Sequence, residues 1–305
     1  MAILSDDLIH LDAAYRPVAG LSAPERIDWI RQDRWIQYAR AEQVLARLTD
    51  LLTYPPRDRM PCLLLFGATG MGKTRILQKF LRDHRASFDR RSGCTRHPIA
   101  SIQMPPAPSE RDLYEEVLVS LGAVVPVQQS NGTLRHRTRV LARQLDVRML
   151  VIDEIHSLLA GTYREQRVLL NALRFLANDL HIPLVCLGTP EAKAALMTDQ
   201  QLADRFEAWE LSAWQDDAAL HQLLATFGSI LPLRHASEMR DGRFRRRVLG
   251  LTEGVMVRIC RLMETAAIQA IETGHERIAL ASLTEDLTTE TLVSISDRRR
   301  PRPAP

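Results

Sequence analysis

Residues 67–74 read Gly67-Ala68-Thr69-Gly70-Met71-Gly72-Lys73-Thr74, the pattern G-x-x-x-x-G-K-[ST]. No other feature constrains the chain as tightly. The pattern asks for a strand before it, a helix after it and an anion between them. Its glycines let backbone N–H groups approach phosphate oxygens where a Cβ would clash. A helix opening at Lys73 aims its positive dipole end at the same charge. In such loops the lysine reaches the β- and γ-phosphates, and the hydroxyl, here Thr74, ligates Mg2+. Both flanks agree. Cys62-Leu63-Leu64-Leu65-Phe66 reads as a buried strand, and beyond Arg75 the residues Ile76, Leu77, Phe80 and Leu81 recur at helical spacing. The competing reading is a glycine turn that binds nothing, and the strand–loop–helix context disfavours it.

The rest of the chain continues the alternation. The capping box Ser22-Ala23-Pro24-Glu25 starts a short helix, with Trp29 and Trp35 placed to dock it on the main domain. A second helix spans residues 39–52 and ends before Pro55. Further strands fit residues 99–102, 149–152, 183–187 and 207–211, with helices between them. Strands alternating with helices predict an α/β fold, a parallel sheet with helices on both faces. After Trp214 the strand pattern stops. Helices around Leu220–Phe227 and Val255–Ala266, and one capped at Ser282-Leu283-Thr284-Glu285, predict a small all-helical domain. The expected organisation is an N-terminal extension (1–38), the α/β domain (39–213), the helical domain (214–296) and a disordered Arg- and Pro-rich tail (297–305).

Composition sets limits. The 305 residues suffice for two domains, and 46% hydrophobic with 25% charged residues suits a globular protein. No run nears the ~20 apolar residues of a membrane span, and no apolar signal core opens the chain, so a cytoplasmic protein without a membrane partner is expected. Four scattered cysteines without a CxxC pair read as thiols rather than disulfides or a metal site. Net charge is only +3. The arginines nevertheless cluster at 135–143, at 243–247 and at 298–302, where a solvated face competes with a binding role.

A phosphate loop that turns over needs a metal partner and a base. Asp153 and Glu154 end the apolar run 149–152, and carboxylates at the tip of a central parallel strand face the ligand crevice. Asp153 would hold Mg2+ through water, and Glu154 would polarise the attacking water. Thr189, after the strand at 183–187, would place a hydroxyl near that water or serve as a helix N-cap before Pro190. Arg205 precedes the last strand and would reach a neighbouring subunit's γ-phosphate. Arg258 starts a helix of the second domain and would report γ-phosphate to it. For either arginine a surface or ion-paired role is the competing reading.

Residues 67–74, Asp153-Glu154-Ile155-His156, Gly188-Thr189-Pro190, Asp204-Arg205-Phe206 and Thr252-Glu253-Gly254 together resemble the AAA+ ATPases. Within them they resemble the TniB/TnsC branch of transposition regulators, over roughly residues 35–295. The resemblance implies a P-loop AAA+ domain with a helical lid, binding ATP and Mg2+ at a subunit interface that Arg205 completes in trans. It implies a slow, DNA-stimulated ATPase assembling as a ring or helical filament on duplex DNA. That assembly would recruit a DDE transposase and communicate with a TniQ-like target selector, and hydrolysis would take it apart. DNA contacts on pore-side loops would fall at Arg111, Thr133 and Arg135, and the adenine pocket near residues 35–38.

Three other readings share parts of this pattern. Asp153-Glu154-Ile155-His156 fits a DExH helicase, but the C-terminal helices offer no second nucleotide-binding domain. A clamp or helicase loader shares the architecture. A nucleotide-gated DNA scaffold with little turnover is the non-enzymatic alternative.

Overall fold

The computed structural model describes residues 8–90 and 93–287. Helices α1 (Arg16–Ala19), α2 (Ala23–Arg31) and α3 (Ala39–Thr53) precede strand β1 (Cys62–Phe66) and helix α4 (Lys73–Asp83). A hairpin of β2 (Ser87–Asp89) and β3 (Cys94–Arg96) leads to β4 (Ile99–Gln103), α5 (Glu110–Ser120), α6 (Asn131–Gln144) and β5 (Met149–Asp153). A 3-10 segment (Ile155–Ala160) is followed by α7 (Tyr163–Leu180), β6 (Leu184–Gly188), α8 (Glu191–Met197), α9 (Gln200–Ala203) and β7 (Phe206–Glu210). Then come α10 (Ala218–Ile230), α11 (Gly242–Thr252), α12 (Met256–Glu272) and a 3-10 turn (Leu280–Ser282). The chain divides into two compact units, Gln43–Ser212 and Met1–Glu42 with Ala213–Pro305.

The first unit is a five-stranded parallel sheet in the order β4-β5-β6-β1-β7, flanked by helices. Its inner strands are buried on both faces, which is why they read as unbroken apolar runs. Successive side chains point to opposite faces. Leu64, Ile102, Ile152 and Cys186 therefore share one core with Leu113 and Leu118 of α5, Leu134 of α6 and Leu173 of α7. The order carries the function. Strands β5, β6 and β1 are adjacent and parallel, so their C-terminal ends deliver Asp153, Thr189 and the phosphate loop to one edge.

The second unit is helical. Residues 8–38, set apart in the sequence as an extension, cluster with this unit. Trp29 packs within this unit: Tyr15 meets it edge-on at 5.7 Å, and α2 packs along α12. Arg26 of α2 is 1% exposed and forks onto Glu276, at 2.7 and 2.6 Å, just beyond α12. Helix α11 escapes the sequence reading because Arg243, Arg245, Arg246 and Arg247 obscure the stripe Phe244, Val248 and Thr252, which is buried. The helix expected at Ser282 runs mostly outside the described residues, as does the whole of 297–305.

Candidate active site

The phosphate loop is shaped by two glycine positions. A Cβ on Gly67 would meet the Leu211 carbonyl oxygen at 2.4 Å, so no side chain fits where the loop leaves β1. Gly72 has φ 93°, left-handed geometry that turns the chain into α4. Lys73 is the first residue of α4 and is buried. Its Nζ donates to the Gly67 and Ala68 carbonyls at 2.7 and 3.0 Å. Burial lowers its pKa, and the nearby Glu154 and Asp153 carboxylates partly offset that effect. A cation held on weak carbonyl acceptors beside two carboxylates is suited to an incoming phosphate.

Thr74 Oγ1 donates to Asp153 Oδ2 at 2.9 Å, joining the start of α4 to the tip of β5. The other oxygen of Asp153 accepts from the Glu154 backbone N–H at 2.8 Å, which fixes the carboxylate plane. A hydroxyl and a carboxylate at this separation form the oxygen-only, low-count donor set that Mg2+ takes when phosphates and waters fill its remaining positions.

Glu154 has φ 56° and ψ 37°, a left-handed conformation that costs a non-glycine residue on the order of 1 kcal/mol or more. The turn throws its side chain out of strand register, and Oε2 lies 3.2 Å from His156 Nε2. The Nδ1 of His156 is buried without a hydrogen-bond partner. Thr189 Oγ1 is likewise buried without a well-formed hydrogen bond. It lies near enough to Glu191 to hold that carboxyl below its usual range, so the contact is present but loosely aligned. His156 was legible only as part of the Asp-Glu-Ile-His string; its place beside Glu154 comes from the 3-10 turn.

Arg205 sits at the other end of the sheet. Its carbonyl accepts from Cys62 N–H at the start of β1, and its guanidinium donates to Asn178 Oδ1 at 2.6 Å. The five residues of β7 separate it from the loop end of β1, roughly 16 Å at strand rise. Arg258 lies in the helical unit, where it donates to Glu253 Oε2 at 2.8 Å. Gly254, next to that glutamate, packs so closely on Trp214 that a Cβ would meet its carbonyl at 2.3 Å. Trp35 stacks on Tyr38 at 6.3 Å within the same unit, and burial pushes the Tyr38 hydroxyl up to about 12.

The residues expected at DNA all have partners within the α/β unit. The Arg111 guanidinium donates to the backbone carbonyls of Gln129 and Val127 and pairs with Glu115 at 2.7 Å. The Arg111 side chain stays about a third exposed while it makes these contacts. Thr133 belongs to the cap of α6 with Ser130, and Arg135 lies over the Phe175 ring at 5.6 Å. The other arginines of this cluster are also engaged: Arg137 holds Gln129 and Val124, and Arg139 and Arg143 share Asp179. Arg243 pairs with Asp241, Arg245 with Asp216 and Arg247 with Leu283 and Glu285.

A parallel sheet of this order, with the phosphate loop after β1 and the acidic pair after β5, is the AAA+ ATPase fold. The structure is similar to the CDC6P protein of Pyrobaculum aerophilum at 17% identity and TM-score 0.61, covering 89% of this chain and 73% of that one. It is similar to the Aeropyrum pernix ORC2 protein at 13% identity and TM-score 0.59, covering 87% and 71%. It also resembles the Aeropyrum pernix ORC1 protein, solved in complex with DNA, at 17% identity and TM-score 0.58, covering 86% and 68%. At these identities the likeness is one of fold. The chain belongs to the bacterial TniB protein family, whose pattern it matches over residues 26–216. Among curated proteins no sequence matches it.

Proposed function

We propose that this protein is an ATP-dependent, DNA-binding regulator of transposition whose nucleotide state controls its own assembly. The observation that carries the reading is the single edge where Lys73, the Thr74–Asp153 pair and Glu154 converge, with Arg205 at the opposite end of the same sheet. Backbone N–H groups of residues 67–74 and Lys73 bind the phosphates, with Arg75 exposed on the first turn of α4. Thr74 and Asp153 would hold Mg2+, which would supply positive charge to the phosphates. Glu154 takes the proton of the attacking water, and Thr189 orients that water.

Arg205 is too far along the sheet to serve its own loop, so it completes the site of the next subunit. That requirement makes turnover depend on a ring or filament. Arg258 relays the γ-phosphate state to the helical unit. The resemblance read from the sequence supplies duplex DNA as the assembly's track and a DDE transposase and a TniQ-like selector as partners; membership of the TniB family and the DNA in the ORC1 complex agree with a DNA-associated role. Contacts to the DNA backbone should make affinity fall steeply with salt. Slow, DNA-stimulated hydrolysis suits a protein whose output is the assembled state.

Electron microscopy of the protein with duplex DNA and a slowly hydrolysed ATP analogue tests this. Rings or filaments on DNA are expected, and a monomer indifferent to both ligands overturns the proposal. Co-purification with a transposase separates a transposition regulator from a clamp or helicase loader.

A further inference from the structure

Of the three arginine clusters in the sequence, 298–302 lies outside the described residues, and 135–143 and 243–247 are largely held by hydrogen bonds, ion pairs or ring contacts. A further basic region is not. From Lys79 to His97 the chain carries six lysine or arginine residues against two aspartates, a larger excess than the whole chain's net +3. This stretch covers the end of α4 and the β2–β3 hairpin. Arg82, Arg85, Arg90 and Arg96 are exposed, and none makes an ion pair among the described residues, unlike Arg139, Arg143, Arg245 and Arg247.

The hairpin itself is a free ribbon. Ser87 pairs with Arg96, Phe88 with Thr95 and Asp89 with Cys94. Among the described elements β2 and β3 pack appreciably only on each other, and every described residue of β3 is exposed. Phe88 is 62% exposed. A solvated two-stranded ribbon on its own is marginal. One whose exposed aromatic is flanked by unpaired arginines is more readily explained by a partner that supplies negative charge. The ribbon joins the C-terminus of α4 to the N-terminus of β4, so it stands at the Arg205 end of the sheet, away from the phosphate loop.

We infer that this hairpin is a duplex-DNA contact, a role the sequence reading gave to Arg111, Thr133 and Arg135. The inference rests on the DNA-binding reading above and names its site. A two-stranded β-ribbon fits the width of the B-DNA major groove, with both ribbon edges facing phosphate rails. Arg85, Arg90 and Arg96 neutralise backbone phosphates, and Phe88 lies against sugar or base edges. Contacts of this kind position the protein without reading sequence.

The test is binding of a fluorescent duplex, in a slowly hydrolysed ATP analogue, across a salt series. The variants are R85Q/R90Q/R96Q and the charge-keeping R85K/R90K/R96K. Each lost phosphate contact removes ~0.9 from the slope of log affinity against log salt, so the glutamine triple should be shallower by roughly 2.7. Its affinity should fall about tenfold or more, while the lysine triple keeps the wild-type slope and nucleotide binding is unchanged in both. An unchanged slope in the glutamine triple, with DNA still bound, overturns this inference and leaves the DNA-binding reading intact. Loss of self-assembly at an unchanged slope assigns the ribbon to a subunit contact and also overturns it. Wild-type protein that ignores duplex DNA overturns both.

Discussion

Thr74 Oγ1 and Asp153 Oδ2, 79 residues apart in sequence, share a 2.9 Å hydrogen bond. The bond holds the helix after β1 to the tip of β5 across the intervening strand β6. In the proposed function the two oxygens would share one cation, and Lys73 beside them would meet the phosphates. Lys73→Ala removes the phosphate counter-charge. Affinity for ATP should drop about 10- to 100-fold, read by a fluorescent analogue. Unchanged affinity would refute the assignment of the loop.

Glu154 is held in a left-handed turn with its carboxylate at His156. Glu154→Gln keeps the shape and removes the basicity. ATP binding should persist while hydrolysis slows by ~100-fold or more, leaving the assembly locked on DNA. Phosphate release at the wild-type rate would remove Glu154 as the base.

Arg205 stands at the end of the sheet away from its own loop. Arg205→Ala should bind ATP normally and lose on the order of 1,000-fold in turnover. Mixing it with Glu154→Gln should restore some activity, because a mixed interface can pair an intact arginine with an intact glutamate. A mixture silent at every ratio would exclude a shared site.

Arg26 and Glu276 form a buried pair in the helical unit, with side chains 2% and 11% exposed. Arg26→Ala strands the carboxylate and should cost about 3–5 kcal/mol in chemical unfolding. Burial alone would raise the Glu276 pKa, but hydrogen bonding and attraction from Arg26 outweigh it and hold the group below its ordinary 4.5. A carboxyl lowered on folding stabilises fully above its unfolded pKa. The wild-type helical unit should therefore lose this contribution only below about pH 4.5, as pH falls through the lowered value. Arg26→Ala should flatten that part of the acid profile; an unaltered profile would show the pair contributes nothing.

Arg111 clamps residues 122–130 through two backbone carbonyls. Arg111→Ala should lower stability by about 1–2 kcal/mol and raise hydrogen exchange in that loop, while DNA affinity stays within about twofold. A large loss of DNA affinity with the loop still protected would return Arg111 to the DNA surface.

Much of the fold was legible because it rests on local signals. The strand at 62–66, the capping box at Ser22 and the helix at 39–52 each lie within one element, and period and caps mark them directly. Strand ends moved by a residue, as at β7, because pairing rather than composition sets where a ladder stops. The hairpin at 87–96 was missed: its strands are three residues long and carry no apolar alternation, so no pattern announces them.

By itself the sequence determined the phosphate loop, the acidic pair and the alternation that makes a parallel sheet, since short-range chemistry dictates all three. Only the tertiary structure decided which charges were free. An arginine's role depends on which acceptors other elements bring to it, and those come from far along the chain. Asp179 takes Arg139 and Arg143, Gln129 takes Arg111, and Glu276 takes Arg26, while Arg85, Arg90 and Arg96 stay exposed without an ion pair among the described residues. The same folding that joined Thr74 to Asp153 set Arg205 at the far end of the sheet, and strand length alone keeps it from its own phosphate loop.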